Sequence, residues 1–238
     1  EGINILDCWM SEPNVRSNIG NAIKDCRDKW IIQGHIGSTW QNGQYERTRE
    51  LDRVDEAFRD LLTRMQTDYI DLGMIHFVDS PEEFKEIMSG EFIAYVRSLK
   101  ENGTIRHIGM STHNPTVAKM AALHGEIEMI LFSINPAFDM LPGSDDIETL
   151  FAETFDERFK GIDEERAYLY KLCEENDIGI TVMKGFACGL LAMILVPVMS
   201  SMGANPTVAH HWAEGYNLHF AIFLGVLCLG LTVAGFFF

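Results

Sequence analysis

Basic residues are scarce in this sequence. Its 238 residues include 19 Lys and Arg against 35 Asp and Glu, which leaves a formal net charge of −16. Proteins that bind nucleic acids draw much of their affinity from clustered Lys and Arg placed against phosphates. The charge balance therefore argues against a nucleic-acid partner and predicts an acidic, well-solvated surface.

Cysteine is sparse as well, and its pattern is unpaired. There are five cysteines, an odd number, and no two of them form a C-x-x-C motif. Neither a disulfide framework nor a cysteine-bound metal is indicated, so a reducing, cytoplasmic compartment is predicted. The sequence begins without Met or a signal peptide, directly before an apolar run, and we expect a fragment that lacks its first strand. The cysteines are Cys8, Cys26, Cys173, Cys188 and Cys228.

Six short apolar runs, each closed by a polar residue, organise the chain. The most prominent, Thr67–Asp79, ends its apolar part at His76, where a buried strand would reach solvent. Helical patterns separate the runs, and such alternation is typical of parallel βαβ units. We predict an α/β fold of the (β/α)8 TIM-barrel class, incomplete because its first and last strands are missing. The other runs are Ile3–Asp7, Trp30–His35, Ile105–Ser111, Met129–Asn135 and Ile178–Lys184.

Apolar spacing and capping residues predict the helices between these strands. Val15–Cys26 keeps the helical period on one face. Ser80 precedes a Pro and two Glu in the form of a capping box, and Asp163 can cap a later helix. Segment 37–45, rich in Gly, Asn and Gln, is predicted as a surface loop. Segment 141–161 is predicted as an acidic insertion over the barrel mouth, either a loop or short helices.

The order of several motifs resembles a known family, the aldo-keto reductases, and most closely their bacterial iron–sulfur-associated branch. The motifs are G-I-N-I-L-D, Y-I-D-L-G-M-I-H, I-R-H-I-G-M-S-T-H-N, F-S-I-N-P and G-I-T-V-M-K. The resemblance implies a barrel domain over residues 1–191 and an oxidoreductase that transfers a hydride from NADPH to a small-molecule carbonyl. In that family, an Asp, a Tyr, a Lys and a His at the strand tips carry out the reaction, with the Tyr as proton donor.

Half of that tetrad is present here. Asp7 and His76 match the family's Asp and His, whereas Glu12 stands at the Tyr position and His35 at the Lys position. In one interpretation a partly buried Glu12, its pKa raised toward that of His35, exchanges a proton with it. A second interpretation makes Asp7, His35 and His76 a metal site of two histidines and one carboxylate. A third leaves Asp7 and His35 as buried hydrogen-bonding groups of an inactive site.

The resemblance also implies cofactor contacts. Ser111 matches the family serine that contacts the nicotinamide carboxamide, and Thr112 stands where an Asn is frequent. Asn135 and Lys184 follow predicted strands and point to the barrel mouth, although a turn-forming Asn before Pro and a solvated Lys explain them equally well. The segment with which the family grips the cofactor phosphates is not recognisable after the last strand.

The composition changes after residue 191. Residues 192–238 contain no Lys or Arg and one acidic residue, Glu214. The stretch 218–238 is almost wholly apolar, and about 20 such residues are enough for a transmembrane helix. We predict a hydrophobic tail over 192–238 and keep three interpretations. It is a membrane anchor of the cytoplasmic barrel, a fusion to a membrane-protein fragment, or a helix packed on an incomplete barrel.

Overall fold

The computed structural model describes residues 2–135 and 162–185. Each of the six apolar runs forms one strand of a single parallel sheet, so the six predicted strands are confirmed. The strands are β1 (Ile5–Cys8), β2 (Ile31–Ile36), β5 (Ile70–Ile75), β6 (Ile105–Thr112), β7 (Met129–Ser133) and β8 (Gly179–Met183). They lie side by side in the order β1-β2-β5-β6-β7-β8, which is the order of the chain and the arrangement expected of consecutive barrel strands.

A separate hairpin replaces the loop predicted for 37–45. Its strands β3 (Ser38–Gln41) and β4 (Gln44–Arg47) pair antiparallel around Asn42 and Gly43. Both turn residues have positive φ, 51° and 79°, as a type I′ turn requires, and Asn-Gly is a favoured pair for that turn. The loop prediction was wrong because the Asn-Gly turn outweighs the polar composition of the segment.

Helices connect the strands. The described helices are α1 (Pro13–Ile23), α2 (Leu51–Met65), α3 (Pro81–Ser89), α4 (Glu91–Glu101), α5 (Pro115–His124) and α6 (Glu164–Glu175). The helix predicted over Val15–Cys26 begins two residues earlier, because Pro13 occupies its first position, where its fixed φ suits a helix start. It also ends earlier, since Lys24–Lys29 forms a 3₁₀ helix.

Two predicted helix caps are confirmed. The side chain of Ser80 accepts a hydrogen bond from the backbone N–H of Glu83 at 3.4 Å. Asp163 Oδ1 accepts from the backbone N–H groups of Glu165 and Arg166 at 3.0 and 3.2 Å. These bonds satisfy amide groups that the first turn of a helix leaves without partners. They fix the points at which the chain enters α3 and α6.

β5, one of the two central strands of the sheet, is buried at every residue. Leu72 and Met74 cluster with Leu131, whereas Ile70 and Ile75 belong to the main core. A strand of a parallel sheet that is covered on both faces carries a nearly continuous apolar run. The burial of both faces explains why this segment is the most prominent apolar run of the sequence. The strand ends one residue before His76.

The first two helices pack together very closely at Gly20. A Cβ atom at this position would overlap the backbone carbonyl of Arg64 in α2, so only glycine fits there. Nearby, Arg16 of α1 donates to the carbonyl oxygen of Ala57 at 2.8 Å and to Asp60 at 3.2 Å. These contacts dock α1 on α2 and thereby hold the loop that follows Asp7.

Among the residues that the structure describes, we find no helix with both the length and the apolar character needed to cross a membrane. Three predictions concern other residues: the acidic insertion at 141–161, the hydrophobic tail at 192–238 and its transmembrane helix at 218–238. They lie outside the described ranges and stay predictions, as does the domain boundary at residue 191.

Candidate active site

Three of the predicted site residues meet at the carboxyl ends of neighbouring strands. Asp7 lies in β1, His35 in β2, and His76 directly after β5. Since β2 lies between β1 and β5, His35 lies between the other two. The backbone N–H of His76 donates to the carbonyl oxygen of Ile36 at 3.0 Å, which continues the strand pairing past the end of β5. The carboxyl ends of parallel barrel strands are where active sites form.

The side chains of these residues form one continuous hydrogen-bonded series, which we call the polar chain: Asp7, His35, His76 and Tyr45. Asp7 Oδ1 lies 2.9 Å from His35 Nε2, and His35 Nδ1 lies 2.7 Å from His76 Nδ1. His76 Nε2 lies 2.7 Å from the Tyr45 hydroxyl oxygen. His35 and His76 are only 2% and 6% exposed, whereas the Asp7 side chain is 35% exposed and Tyr45 is partly exposed. Two buried imidazoles thus connect two accessible ends.

The donor direction along the polar chain follows from the chemistry of its ends. An ionised Asp7 can only accept, so His35 Nε2 carries a hydrogen and donates to it. With both imidazoles neutral, His35 Nδ1 is an acceptor, and His76 Nδ1–H donates to it. His76 Nε2 is then an acceptor for the Tyr45 hydroxyl. Every group in this state is satisfied, and all the donors point toward Asp7.

The environment of His76 keeps its imidazole neutral. Burial lowers the pKa of His76 well below its ordinary value of 6.5, and the charges of His35, Arg49, Arg47 and His113 lower it further. Desolvation disfavours the charged form of a histidine in this way. Near neutrality His76 therefore offers one donor nitrogen and one acceptor nitrogen, which is what a relay position in the polar chain requires.

This lowered pKa predicts a pH-dependent stability. Below pH 6.5 the unfolded chain protonates at His76 while the folded chain does not, so the unfolded state binds more protons and the free energy of unfolding falls. Urea unfolding measures the free energy of unfolding at about pH 7.5 and about pH 5.5. The decrease between these two pH values should be smaller by about 1 kcal/mol in His76→Gln than in the wild type. Ser98→Ala, which changes an exposed side chain of α4 that does not titrate, should keep the full wild-type loss. An unchanged loss in His76→Gln would contradict the lowered pKa.

Arginine side chains hold the backbone just after His76. Arg49 Nη2 donates to the carbonyl oxygen of His76 at 2.7 Å, and Arg47 Nη1 donates to that of Phe77 at 2.6 Å. Both arginines pair with Glu83. Phe77 has a φ of 52°, an uncommon conformation for a bulky residue that surrounding contacts must hold in place. Arg47 and Arg49 therefore fix the backbone that carries His76.

Tyr45 comes from the β3–β4 hairpin, which the loop after β1 anchors. Ser11 Oγ donates to the carbonyl oxygen of Thr39 at 2.6 Å, and Ser38 Oγ donates to that of Trp9, also at 2.6 Å. The ring of Trp9 packs edge-on against Tyr45 with centroids 5.8 Å apart. These contacts fix the Tyr45 hydroxyl beside His76. The sequence reasoning missed Tyr45 because it assigned 37–45 to a loop, although the Asn-Gly pair was a signal for this hairpin.

Glu12 has a helix-capping role that the sequence reasoning did not predict. Its carboxylate caps α1 and accepts from the backbone N–H of Val15 at 2.7 Å and from the Asn14 amide at 2.9 Å. Hydrogen bonds from the backbone at Val15 and Asn14 lower the pKa of Glu12, because they favour the charged carboxylate. The predicted rise of its pKa toward that of His35 was therefore wrong. A catalytic role of Glu12 stays a prediction.

The metal-site interpretation does not fit the geometry of Asp7, His35 and His76. The two Nδ1 atoms of the histidines face each other at 2.7 Å, a direct hydrogen bond. Two nitrogens that bind one metal ion both direct their lone pairs at the metal and cannot share a hydrogen bond with each other. Within the described ranges, no group of three His, Cys, Asp or Glu side chains is arranged to hold a metal.

The two predicted cofactor residues of β6 are both buried and differ in their hydrogen bonds. Ser111 Oγ accepts from the backbone N–H of Phe77 at 2.7 Å, so its hydroxyl hydrogen is left to donate elsewhere. Thr112 is 0% exposed, and its hydroxyl donates to Asp79 at 3.0 Å. Asp79 also binds the backbone N–H and the ring of His113. The Ser111 oxygen thus holds the backbone directly after His76, whereas the Thr112 hydroxyl holds Asp79 in the loop that follows.

The remaining predicted cofactor residues follow the last two described strands. Asn135 is buried two residues after β7. Lys184 comes directly after β8 and has a φ of 59°. Their places in the chain agree with strand ends, and their contact with a cofactor stays a prediction.

Comparison with known proteins identifies the family. Residues 2–194 match the model of the Aldo/keto reductase family, and the chain therefore belongs to that family. The membership confirms the resemblance seen in the motifs. It also confirms the (β/α)8 class, of which the six-stranded parallel sheet is the described part.

Individual relatives agree with this assignment. The aldo-keto reductase YhdN of Bacillus subtilis (strain 168) is 34% identical over 135 residues, which cover 52% of this chain and 38% of the relative. The NADH-specific methylglyoxal reductase of Escherichia coli (strain K12) is 25% identical over 142 residues, or 54% and 43% of the two chains. The holo form of an aldo-keto reductase from Bacillus halodurans superposes with a TM-score of 0.57 at 25% identity, over 80% of this chain and 55% of that one. The chain spans less than half the length of these two curated relatives.

Proposed function

We propose that this chain is the catalytic part of an oxidoreductase that uses a reduced nicotinamide nucleotide to convert a small carbonyl compound to an alcohol. The observation that carries the proposal is the polar chain, a buried series of hydrogen bonds that ends at the carboxyl edge of a barrel sheet. Buried polar networks are costly unless every member is satisfied. A satisfied series of titratable groups at a strand edge is a candidate for proton transfer.

Carbonyl reduction divides the work between cofactor and protein. A bound reduced nicotinamide supplies a hydride to the carbonyl carbon, and the carbonyl oxygen must then gain one proton. Supplying that proton is general acid catalysis, typically worth about 10²- to 10⁴-fold in rate. The polar chain can hold a proton because His35, which lies between Asp7 and His76, is able to bind a hydrogen at both nitrogens beside a carboxylate.

The side chains at the strand ends fit the nicotinamide end of such a cofactor. Ser111 has its oxygen bonded to the Phe77 N–H, which leaves its hydroxyl hydrogen to donate to a carboxamide oxygen. The family resemblance assigns this contact to the same residue. NADPH is the cofactor that the resemblance implies. Because one relative is NADH-specific, NADH is tested beside it.

Nucleotide binding to the full 238-residue chain tests the proposal. Nicotinamide fluorescence should show saturable binding of NADPH, of NADH or of both in the micromolar range. Ser111→Ala should weaken binding about fivefold, the effect of losing one neutral hydrogen bond. Ser98→Ala, which changes an exposed serine of α4 bonded to the Tyr95 carbonyl, should bind as the wild type does.

Turnover completes the test. Methylglyoxal, the substrate named for one relative, and a panel of simple aldehydes and ketones should be reduced with loss of nicotinamide absorbance. A folded chain that binds neither nucleotide, or binds one and reduces none of these carbonyls, would sink the proposal and favour an inactive scaffold.

A further inference from the structure

Within the proposed reduction, on which this inference rests, the geometry points to Tyr45 as the residue that hands a proton to the substrate oxygen. Tyr45 is the last member of the polar chain and bonds to His76 Nε2 at 2.7 Å. It lies outside the barrel sheet, on the β3–β4 hairpin. The protein would therefore take its proton donor from the β3–β4 hairpin and not from the segment that carries Glu12.

Neither histidine of the polar chain can donate a proton directly to a substrate. An imidazole has two ring nitrogens. Those of His35 are engaged by Asp7 and His76, and those of His76 by His35 and Tyr45. Both residues are also buried. The tyrosine hydroxyl has one bond to His76, and its oxygen can accept that bond while its own hydrogen points elsewhere.

Asp7, the other accessible end, is unsuited to donate. Its Oδ1 accepts from His35 Nε2 at 2.9 Å and from Gln33 Nε2 at 3.2 Å, so this oxygen is already occupied by two donors of the protein. Its role is to hold the positive charge of a protonated His35. Glu12 is held in its charged form by its capping bonds. By contrast, burial raises the pKa of Tyr45, so its hydroxyl keeps its proton near neutrality.

Proton positions balance in two states of the polar chain. In the loaded state His35 is an imidazolium, its Nδ1–H donates to His76 Nδ1, and His76 Nε2–H donates to the Tyr45 oxygen. The hydroxyl hydrogen of Tyr45 then points to the substrate. When the carbonyl oxygen takes that proton, Tyr45 receives the Nε2 hydrogen of His76, and His76 receives the Nδ1 hydrogen of His35.

The discharged state is the neutral one whose donors all point toward Asp7. A carbonyl that had received a hydride from a bound nicotinamide would become an alcohol with the proton from Tyr45. The protein has lost one proton in total. After the product leaves, water at Tyr45 returns this proton by the reverse shift. No bond other than O–H and N–H changes within the protein.

The substitution Tyr45→Phe tests the inference because it removes one oxygen atom and keeps the ring against Trp9. We expect kcat to fall about 10²- to 10³-fold, with KM and the nucleotide dissociation constant within about twofold of wild type. Tyr95→Phe is the matched control, because Tyr95 is also partly buried and donates to a carboxylate, Asp55, at 3.2 Å. That variant should keep wild-type kcat.

A readout without turnover accompanies the kinetics. Nitrogen NMR of the imidazoles should show the signal of His76 Nε2 changing in Tyr45→Phe, since that nitrogen loses its hydroxyl partner, and staying unchanged in Tyr95→Phe. If the His76 signals are the same in Tyr45→Phe and wild type, the hydrogen bond does not exist in solution and the inference is wrong, whatever the activity.

The kinetic outcomes separate this inference from the proposed function. An active wild type together with a Tyr45→Phe variant of nearly equal kcat would overturn the role of Tyr45 and leave the reductase proposal standing. A wild type that binds nucleotide and reduces no carbonyl would overturn both. A selective loss of kcat together with the change at His76 supports both.

Discussion

Replacement of His35 by alanine should lower kcat for carbonyl reduction by about 10²- to 10⁴-fold, the range of a lost general acid. His35 is the middle of the polar chain, within 2.9 Å of Asp7 and 2.7 Å of His76. Without it, no group beside Asp7 stores the proton that the carbonyl oxygen must receive. The nucleotide dissociation constant should stay within about twofold of wild type, because His35 is buried and has both nitrogens engaged within the protein.

Two further variants make this result interpretable. His35→Gln keeps a polar side chain at the same place and should lose as much kcat as His35→Ala, because an amide cannot take up and release the proton that an imidazole can carry. His107→Ala removes an exposed histidine paired with Glu128 and should leave kcat unchanged. Full activity in a folded His35→Gln protein would rule out the polar chain as the proton source.

The largest loss of stability is expected from Asp71→Ala. Asp71 is a buried residue of β5 that accepts from Arg27 Nη2 at 2.8 Å, from the backbone N–H of Ile32 at 3.0 Å and from Arg106 Nη1 at 3.0 Å. It joins β5 to both neighbouring strands. Removal of one member of a buried ion pair leaves the other without its counter-charge, and the free energy of unfolding should fall by about 3 kcal/mol, the lower end of the usual range.

The reason for that lower value is partial exposure. Arg106 remains half exposed, so water compensates part of its lost pairing, whereas Arg27 is largely buried. Urea unfolding of the wild type, Asp71→Ala and Asp68→Ala measures the effect. Asp68 is an exposed acid three residues earlier, and its loss should change stability by less than about 0.5 kcal/mol. A similar, small effect in both variants would show that the Asp71 contacts do not stabilise the sheet.

Much of the fold could be predicted because local patterns carry it. Strands such as β5 are buried on both faces, so their apolar runs stand out between polar strand ends. Ser80 and Asp163 start their helices by bonds to amides two or three residues away, a distance at which sequence alone is informative. The β3–β4 hairpin was missed although its Asn-Gly turn is equally local, because polar composition was given more weight.

The candidate site was predictable only in part. Asp7, His35 and His76 could be placed together, since the carboxyl ends of adjacent parallel strands share one edge. The hydrogen-bond partner of His76 could not be predicted in this way. Tyr45 is 31 residues earlier in the chain and lies on a hairpin that is separate from the barrel sheet. The pKa of Glu12 was predicted in the wrong direction for a related reason: its carboxylate accepts a hydrogen bond from its own helix start.

The sequence by itself determined the order of the six strands of the barrel sheet, the family and the strand ends at which Asp7, His35 and His76 lie, because periodicity, capping and motif order are properties of neighbouring residues. The tertiary structure alone decided which atoms meet. The bond between the two Nδ1 atoms of His35 and His76 and the contact of His76 with Tyr45 depend on strand register and hairpin anchoring. Shifts of about one ångström would make or break such bonds, and only packing across the whole domain fixes distances that finely.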